Sequence, residues 1–234
     1  MPAKEPLTAS QPVIWLRPAA STVGRPAERS RDQITAAALD LADREGLDAV
    51  SMRRVAAGLG TGAASLYRYV ANRDDLLDLM VDATAAEYDL PPLTGDWTAG
   101  LLAIAGQARG IMLRHPWLPE LVVKRPALGP HAVDVLEYAL GALSAHPAAP
   151  SRKLEAFALL NALVAAAAQT ELSVTRPAAA RQVEYLTHVA AAGTHPRIAE
   201  LFAAASGPNA QEPAAAGTPF ETILTRVLTG LLDG

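Results

Sequence analysis

The chain contains no cysteine among its 234 residues. Disulfides and thiolate-held metals are therefore excluded, and a reducing cytosol is the natural setting. Aromatic residues make up only 5% of the sequence, while alanine is plentiful, which suits closely packed helices better than a β-sandwich. No stretch alternates apolar and polar residues as a half-buried strand does. Long apolar runs are missing too. The longest, residues 157–168, spans twelve residues with Asn161 inside it, against about 20 needed to cross a bilayer. Residues 1–15 hold prolines and no apolar run, so no secretory leader is expected. These absences together predict an all-α, cytoplasmic protein that does not engage a membrane.

A more local absence points toward function. Residues 51–73 read SMRRVAAGLGTGAASLYRYVANR, with four arginines (Arg53, Arg54, Arg68, Arg73) and no Asp or Glu. Two short helical patterns flank Leu59-Gly60-Thr61-Gly62. Two short helices around a glycine-containing turn are the mark of a helix-turn-helix, whose second helix enters the major groove of DNA. A surface that meets phosphate cannot carry carboxylates. The net charge of −4 hides this feature. Residues 1–73 carry ten Lys and Arg against seven Asp and Glu, and the remainder carries ten against seventeen. A basic module on an acidic body is the simplest reading.

Three segments follow from the periodicity. Residues 1–30, rich in Pro, Ala and Ser, read as a flexible basic arm, in which Trp15 either folds back onto the body or is simply exposed. Residues 31–90 hold a three-helix DNA-binding domain and a connecting helix. Ile34, Ala37, Ala38, Leu41 and Ala42 form the first stripe, and Gly46 ends that helix. Ser51 caps the second helix, with Val55, Ala56 and Leu59 turned inward. Leu66 and Val70 anchor the third, and Asn72 caps a fourth that runs to about residue 89, before Pro91-Pro92. Residues 91–234 form a larger helical domain, with helices expected near 97–114, 117–124, 129–145, 151–174, 179–192 and 218–232.

RDQITAAALDLADREGLDAVSMRRVAAGLGTGAASLYRYVANRDDLLDLMVD closely resembles the DNA-binding domain of the tetracycline-repressor (TetR) family of bacterial regulators. The segment RHPWLPELVVKRPALGPHAV, residues 114–133, looks like the second domain of the subgroup nearest the tetracycline repressors themselves. The style is that of high-GC actinobacterial members. The resemblance implies an all-helical homodimer that binds a palindromic double-stranded operator and leaves it when a small-molecule effector occupies the larger domain. It implies no cofactor and no enzymatic activity.

Carried over residue by residue, the resemblance places Arg53 at a guanine edge and the Tyr67 hydroxyl on a phosphate. Ser51, Thr61, Ser65 and Tyr69 become backbone or base contacts, with Ser51 alternatively only a cap. Gly62, Ala63 and Ala64 are small where other members carry larger polar groups, so DNA shape takes a larger share of the readout. Arg73 stands at a phosphate-binding position. Arg25, Arg29 and Arg31 could enter the minor groove or touch phosphate, and ordinary disorder is the equal alternative. The effector region is expected at Ile104, Gln107, Ala108, Ile111, Leu121, His131, Val135 and Asn161, each equally readable as core. Aligned on Arg125-Pro126, Leu121 replaces a metal-binding histidine of the tetracycline repressors, and Ile104 and Ala108 replace an asparagine and a phenylalanine that contact the drug. Magnesium–tetracycline is therefore not the expected effector, and a more apolar molecule is. Helices 151–174 and 218–232 are expected to form the dimer.

Two other readings need weighing. Asp74, Asp75 and Asp78 fit a DDxxD pattern that holds magnesium in helical prenyl-transfer enzymes. No second metal motif accompanies it, and acids at a helix start already satisfy the helix dipole. A non-DNA interaction module is the remaining alternative.

Overall fold

A computed structural model describes residues 13–17, 29–125, 128–173, 176–205 and 218–233, and among these every regular element is helical. The chain divides into two compact units. The first comprises Met1–Tyr88 with Lys124–Leu136, and the second Asp89–Val123 with Glu137–Gly234. The break after Tyr88 falls close to the Pro91-Pro92 expected from the sequence. Residues 124–136, expected in the second domain, cluster by their contacts with the helices of the first unit.

In the first unit, α1 (Arg31–Glu45) opens on a capping box. The Ser30 hydroxyl accepts from the Gln33 N–H and the Gln33 side chain accepts from the Ser30 N–H, both at 3.1 Å. This satisfies two of the donors that a helix start leaves unpaired. Ile34, Ala38, Leu41 and Ala42 are buried along one face, as the period requires. Gly46 follows with φ of 83°, a left-handed value that favours glycine, and its N–H closes the helix on Ala42 O. A 3-10 turn (Leu47–Ala49) leads to α2 (Met52–Gly58). The recognition helix α3 (Ala63–Leu66) is a single turn. Next comes α4 (Arg73–Ala85), capped by Asn72, whose side chain accepts from Asp75 N at 2.7 Å. It stops before the expected residue 89: Glu87 and Tyr88 bond back only to Thr84 and Ala85, three residues earlier. Pro91 marks the latest possible end of the helix, not the actual one.

The expectation of an unstructured arm fails at residues 13–17. Ile14–Leu16 form a 3-10 turn, and Ile14 is among the most deeply buried side chains of the molecule.

The second unit holds α5 (Trp97–Arg114), most of α6 (Leu118–Lys124), the second half of α7 (Pro130–Ala142), α8 (Pro150–Ser173), α9 (Arg176–Ala191), α10 (Pro196–Ala205) and α11 (Pro219–Asp233). Asp96 caps α5 by accepting from Thr98 N and Ala99 N. Its core is built where α5, α8 and α11 pack on one another. Leu101, Ile104, Ala105, Ala108 and Ile111 meet Leu160, Val164, Ala168, Leu224 and Leu228, all buried. By length and composition α8 could cross a membrane. Its buried stripe and its polar residues Asn161, Gln169 and Glu171 are those of a bundle helix instead. The sequence reading assigns nothing to 196–205, where the structure has α10. Pro196 is the first residue of that helix, where its missing N–H costs nothing.

Candidate DNA-binding surface

Helix α2 is set by its cap and its buried face. Ser51 Oγ accepts from Arg54 N at 3.3 Å, and Met52, Val55 and Ala56 face the core. That geometry turns Arg53 and Arg54 outward. The turn then bends on Gly60, whose φ is 67°, and Thr61 N returns to Ala56 O at 2.9 Å. Leu66 and Val70 are fully buried and fix the recognition turn. The expected Ser51 contact is thus at least a cap. Ser51→Ala is expected to lower stability by about 1 kcal/mol in chemical unfolding. Ser51→Asn, which keeps an acceptor there, restores most of it; an unchanged midpoint in the alanine variant contradicts the cap.

The residues expected at DNA separate into two groups. Arg53 and Arg68 are exposed and, among the described residues, have no ion pair or hydrogen bond. Tyr67 is 52% exposed, an unusual position for a large aromatic side chain. Thr61, Ala63 and Ser65 are half-exposed and Gly62 exposed on the same two-helix frame. Arg54, by contrast, pairs with Glu45 at 2.7 Å.

The second group serves the fold. Tyr69 is buried, with 7% exposed. Its side chain is core, and the expected DNA contact is withdrawn. Residues 66, 69 and 70 follow the spacing of one buried helical face, a signal already present in the sequence. Arg31 is half-buried, and its guanidinium donates to Tyr69 O at 3.1 Å, Ile14 O at 3.2 Å and Arg17 O at 3.0 Å. It holds backbone, not phosphate. Arg73 spends Nε on Val50 O and Nη2 on Leu47 O, so at least two of its donors hold backbone. Arg29 donates to Leu59 O at 2.7 Å, tying the chain before α1 to the helix-turn-helix turn. Arg25 lies outside the described residues. Arg68 was not among the expected contacts, although the lack of acid over 51–73 already marked it.

The acids of the DDxxD pattern are engaged by arginines. Arg125 pairs with Asp74 and Asp78, each at 3.0 Å, and Arg17 pairs with Asp75. Burial works against the Arg125 charge, and Asp78 and then Asp74 overcome it, so its pKa is raised. One turn further on, Asp82 is 4% exposed and accepts from Ala132 N at the start of α7 at 3.0 Å. Desolvation raises its pKa, and the Ala132 bond only partly offsets this. An acid whose folded pKa lies above its unfolded value stabilises the fold below the unfolded pKa and loses that contribution as pH rises through the folded one. Asp82→Asn keeps an acceptor without the charge. Its melting temperature relative to wild type is expected to rise as pH goes from 4 toward neutrality, and a constant difference would contradict the desolvation.

The expected effector residues fall in both units. In the second, Ile104, Ala108, Ile111 and Leu121 are buried. Gln107 is committed to Asp89, donating to its O and accepting from its N, both at 2.7 Å. Asn161 donates to Phe157 O within its own helix. In the first unit, Val135 is buried and His131 exposed. A shallow open depression lies on α8, lined by Ala166, Ala167, Thr170 and Glu171; none of the expected residues lines it.

Comparison with known proteins agrees with this geometry. The family described as "Bacterial regulatory proteins, tetR family" matches residues 34–80, and "Tetracyclin repressor-like, C-terminal domain" matches residues 91–233. The HTH-type transcriptional repressor DrrR1 of Streptomyces coeruleorubidus is 36% identical over 213 residues, covering 86% of this chain and 76% of that protein. Apo ActR from Streptomyces coelicolor superposes with a TM-score of 0.74 at 32% identity, over 87% of this chain and 95% of that one. ActR in complex with actinorhodin gives 0.74 at 30% identity, over 89% and 97%. These relatives are transcription regulators, not enzymes. An all-helical chain with an outward-facing, acid-free helix-turn-helix, matched along both of its units, belongs to the TetR family of bacterial transcriptional regulators.

Proposed function

We propose that the protein is a cytoplasmic, homodimeric repressor that leaves a palindromic operator when a small, largely apolar molecule binds its second unit. The observation that carries the DNA part is the exposure of Arg53, Tyr67 and Arg68, without partners among the described residues, beside a recognition turn pinned by Leu66 and Val70. Arg53 then reads a guanine edge, while Tyr67 and the N-terminal end of α3 meet phosphate. The relative DrrR1 is named a repressor, which supports repression over activation.

Dimer formation is supported by the outer faces of α8 and α11. Leu154 on α8 and Ile223 on α11 are 48% and 57% exposed, with small exposed residues Ala158, Ala162 and Ala166 between them in the α8 stripe. Two such pairs about a two-fold axis make a four-helix bundle, and small side chains let the helices approach closely. Two recognition helices then lie about 34–36 Å apart, one DNA turn. The effector acts by binding more tightly to a dimer with another spacing, and shifts the equilibrium only by that difference in affinity.

Apolar Ile104, Ala108, Ile111 and Leu121 favour an apolar effector over a metal–drug complex. The actinorhodin complex of ActR makes that compound the first probe. Titrating actinorhodin into the protein–operator complex is expected to release DNA, and magnesium–tetracycline is expected to show no tight binding by calorimetry. Saturation by actinorhodin with no change in operator affinity overturns the switch for that class, and tight tetracycline binding overturns the apolar pocket.

A further inference from the structure

Residues 13–17 lie far in sequence from the DNA surface, yet they touch its supports at three places. Arg31 takes the strap by its carbonyls, donating Nη1 to Ile14 O at 3.2 Å and Arg17 O at 3.0 Å. Through Nε the same guanidinium donates to Tyr69 O at 3.1 Å, in the turn that follows the recognition helix. Arg17 pairs with Asp75 in the first turn of α4. Trp15 lies against Gly129, the residue before α7: a Cβ on Gly129 would overlap both Trp15 and Asp82. Ile14 is buried with 1% exposed and seats the strap in the core. All of these residues belong to the first unit.

The chemistry of the contacts favours positioning over simple stability. Among the described residues, Arg17 Nε and Asp75 Oδ2 are buried without a partner. A buried pair left incompletely bonded contributes little net stability compared with apolar packing. What it does supply is direction, since a guanidinium fixes its partner's carboxylate and the backbone it grips. The corner 124–136 holds the same helix from its other side: Arg125 is on Asp74 and Asp78, and Ala132 N is on Asp82.

We infer that residues 13–17 form a positioning strap, in which Arg31, Arg17 and Trp15 set the recognition helix against α4 and the start of α7, so that operator affinity depends on a segment that never touches DNA. This rests on the DNA-binding reading above. Residues along such a connection alter affinity by about tenfold when changed.

The test uses the full chain and a duplex selected by the wild type, beside a scrambled duplex of equal length. Arg17→Ala and Trp15→Ala are expected to weaken operator binding about tenfold while leaving scrambled-duplex binding unchanged. Gly129→Ala, whose Cβ would overlap Asp82 as well as Trp15, disturbs the seat of the strap from the α7 side and is expected to do the same. Arg17→Asp combined with Asp75→Arg is expected to recover affinity. Equal losses on both duplexes, no loss on either, or no recovery by the exchange would overturn the strap. If the wild type selects no duplex, the DNA-binding reading fails, and amide hydrogen exchange still tests the strap. The amides of residues 66–70 and 131–135 are expected to exchange faster together in Trp15→Ala. Faster exchange confined to 13–17 would overturn it.

Discussion

Arg53→Ala is expected to weaken operator binding by about 5- to 150-fold, the cost of losing one bidentate arginine–guanine pair. The loss should concentrate at one base pair of each half-site, and duplexes changed at that pair should bind wild type and variant alike. Tyr67→Phe removes one phosphate contact and is expected to weaken all duplexes by a similar, smaller factor, about 1 kcal/mol. Both side chains are exposed, so neither change should move thermal stability by more than about 0.5 kcal/mol. Titration of fluorescent duplexes, with melting curves alongside, separates these outcomes. Loss of affinity accompanied by loss of fold would place Arg53 in the structure of the headpiece instead of at the base edge.

Ile223→Asp is expected to have the larger effect, because the proposed two-fold axis would present each substitution twice. A carboxylate there must lose water to enter a closely packed interface, and nothing in an apolar four-helix seam compensates it. The variant should be monomeric at micromolar concentration by light scattering. It should remain helical, because Leu224, Leu228 and Leu232 still bury the opposite face of α11. Losing the second recognition helix removes the effective-concentration gain of two linked sites, a factor on the order of 10²–10⁴ in operator affinity. A dimer of undiminished affinity would move the interface away from α11.

What was legible in the sequence was what local chemistry determines. Ser51, Asn72 and Gly46 announce their helix ends because a hydroxyl, an amide or a left-handed backbone is needed at each. The acid-free stretch 51–73 announced its surface, because electrostatics at DNA acts through composition. Tyr69 carries two readings, a DNA contact by resemblance and a core side chain by its spacing from Leu66 and Val70, and its burial follows the spacing. The roles of Arg17, Arg31 and Trp15 were not legible. Their partners, Asp75, Tyr69 and Gly129, are long-range contacts, and a proline-rich stretch offers no periodicity to reveal that a single turn docks. The same holds for Arg125: nothing near residue 125 says that Asp74 and Asp78 wait for it, and their spacing alone imitates a metal motif. The effector residues were the least legible, since apolar pocket linings and apolar core share one pattern.

Selection of bound duplexes from a random library, by the wild type and by an Arg53→Ala/Tyr67→Phe variant, tests the central claim most directly. The account predicts that the wild type alone enriches a palindrome whose half-sites lie about one helical turn apart. No enrichment at low salt in the absence of effector, or the same palindrome enriched by the variant, would contradict it.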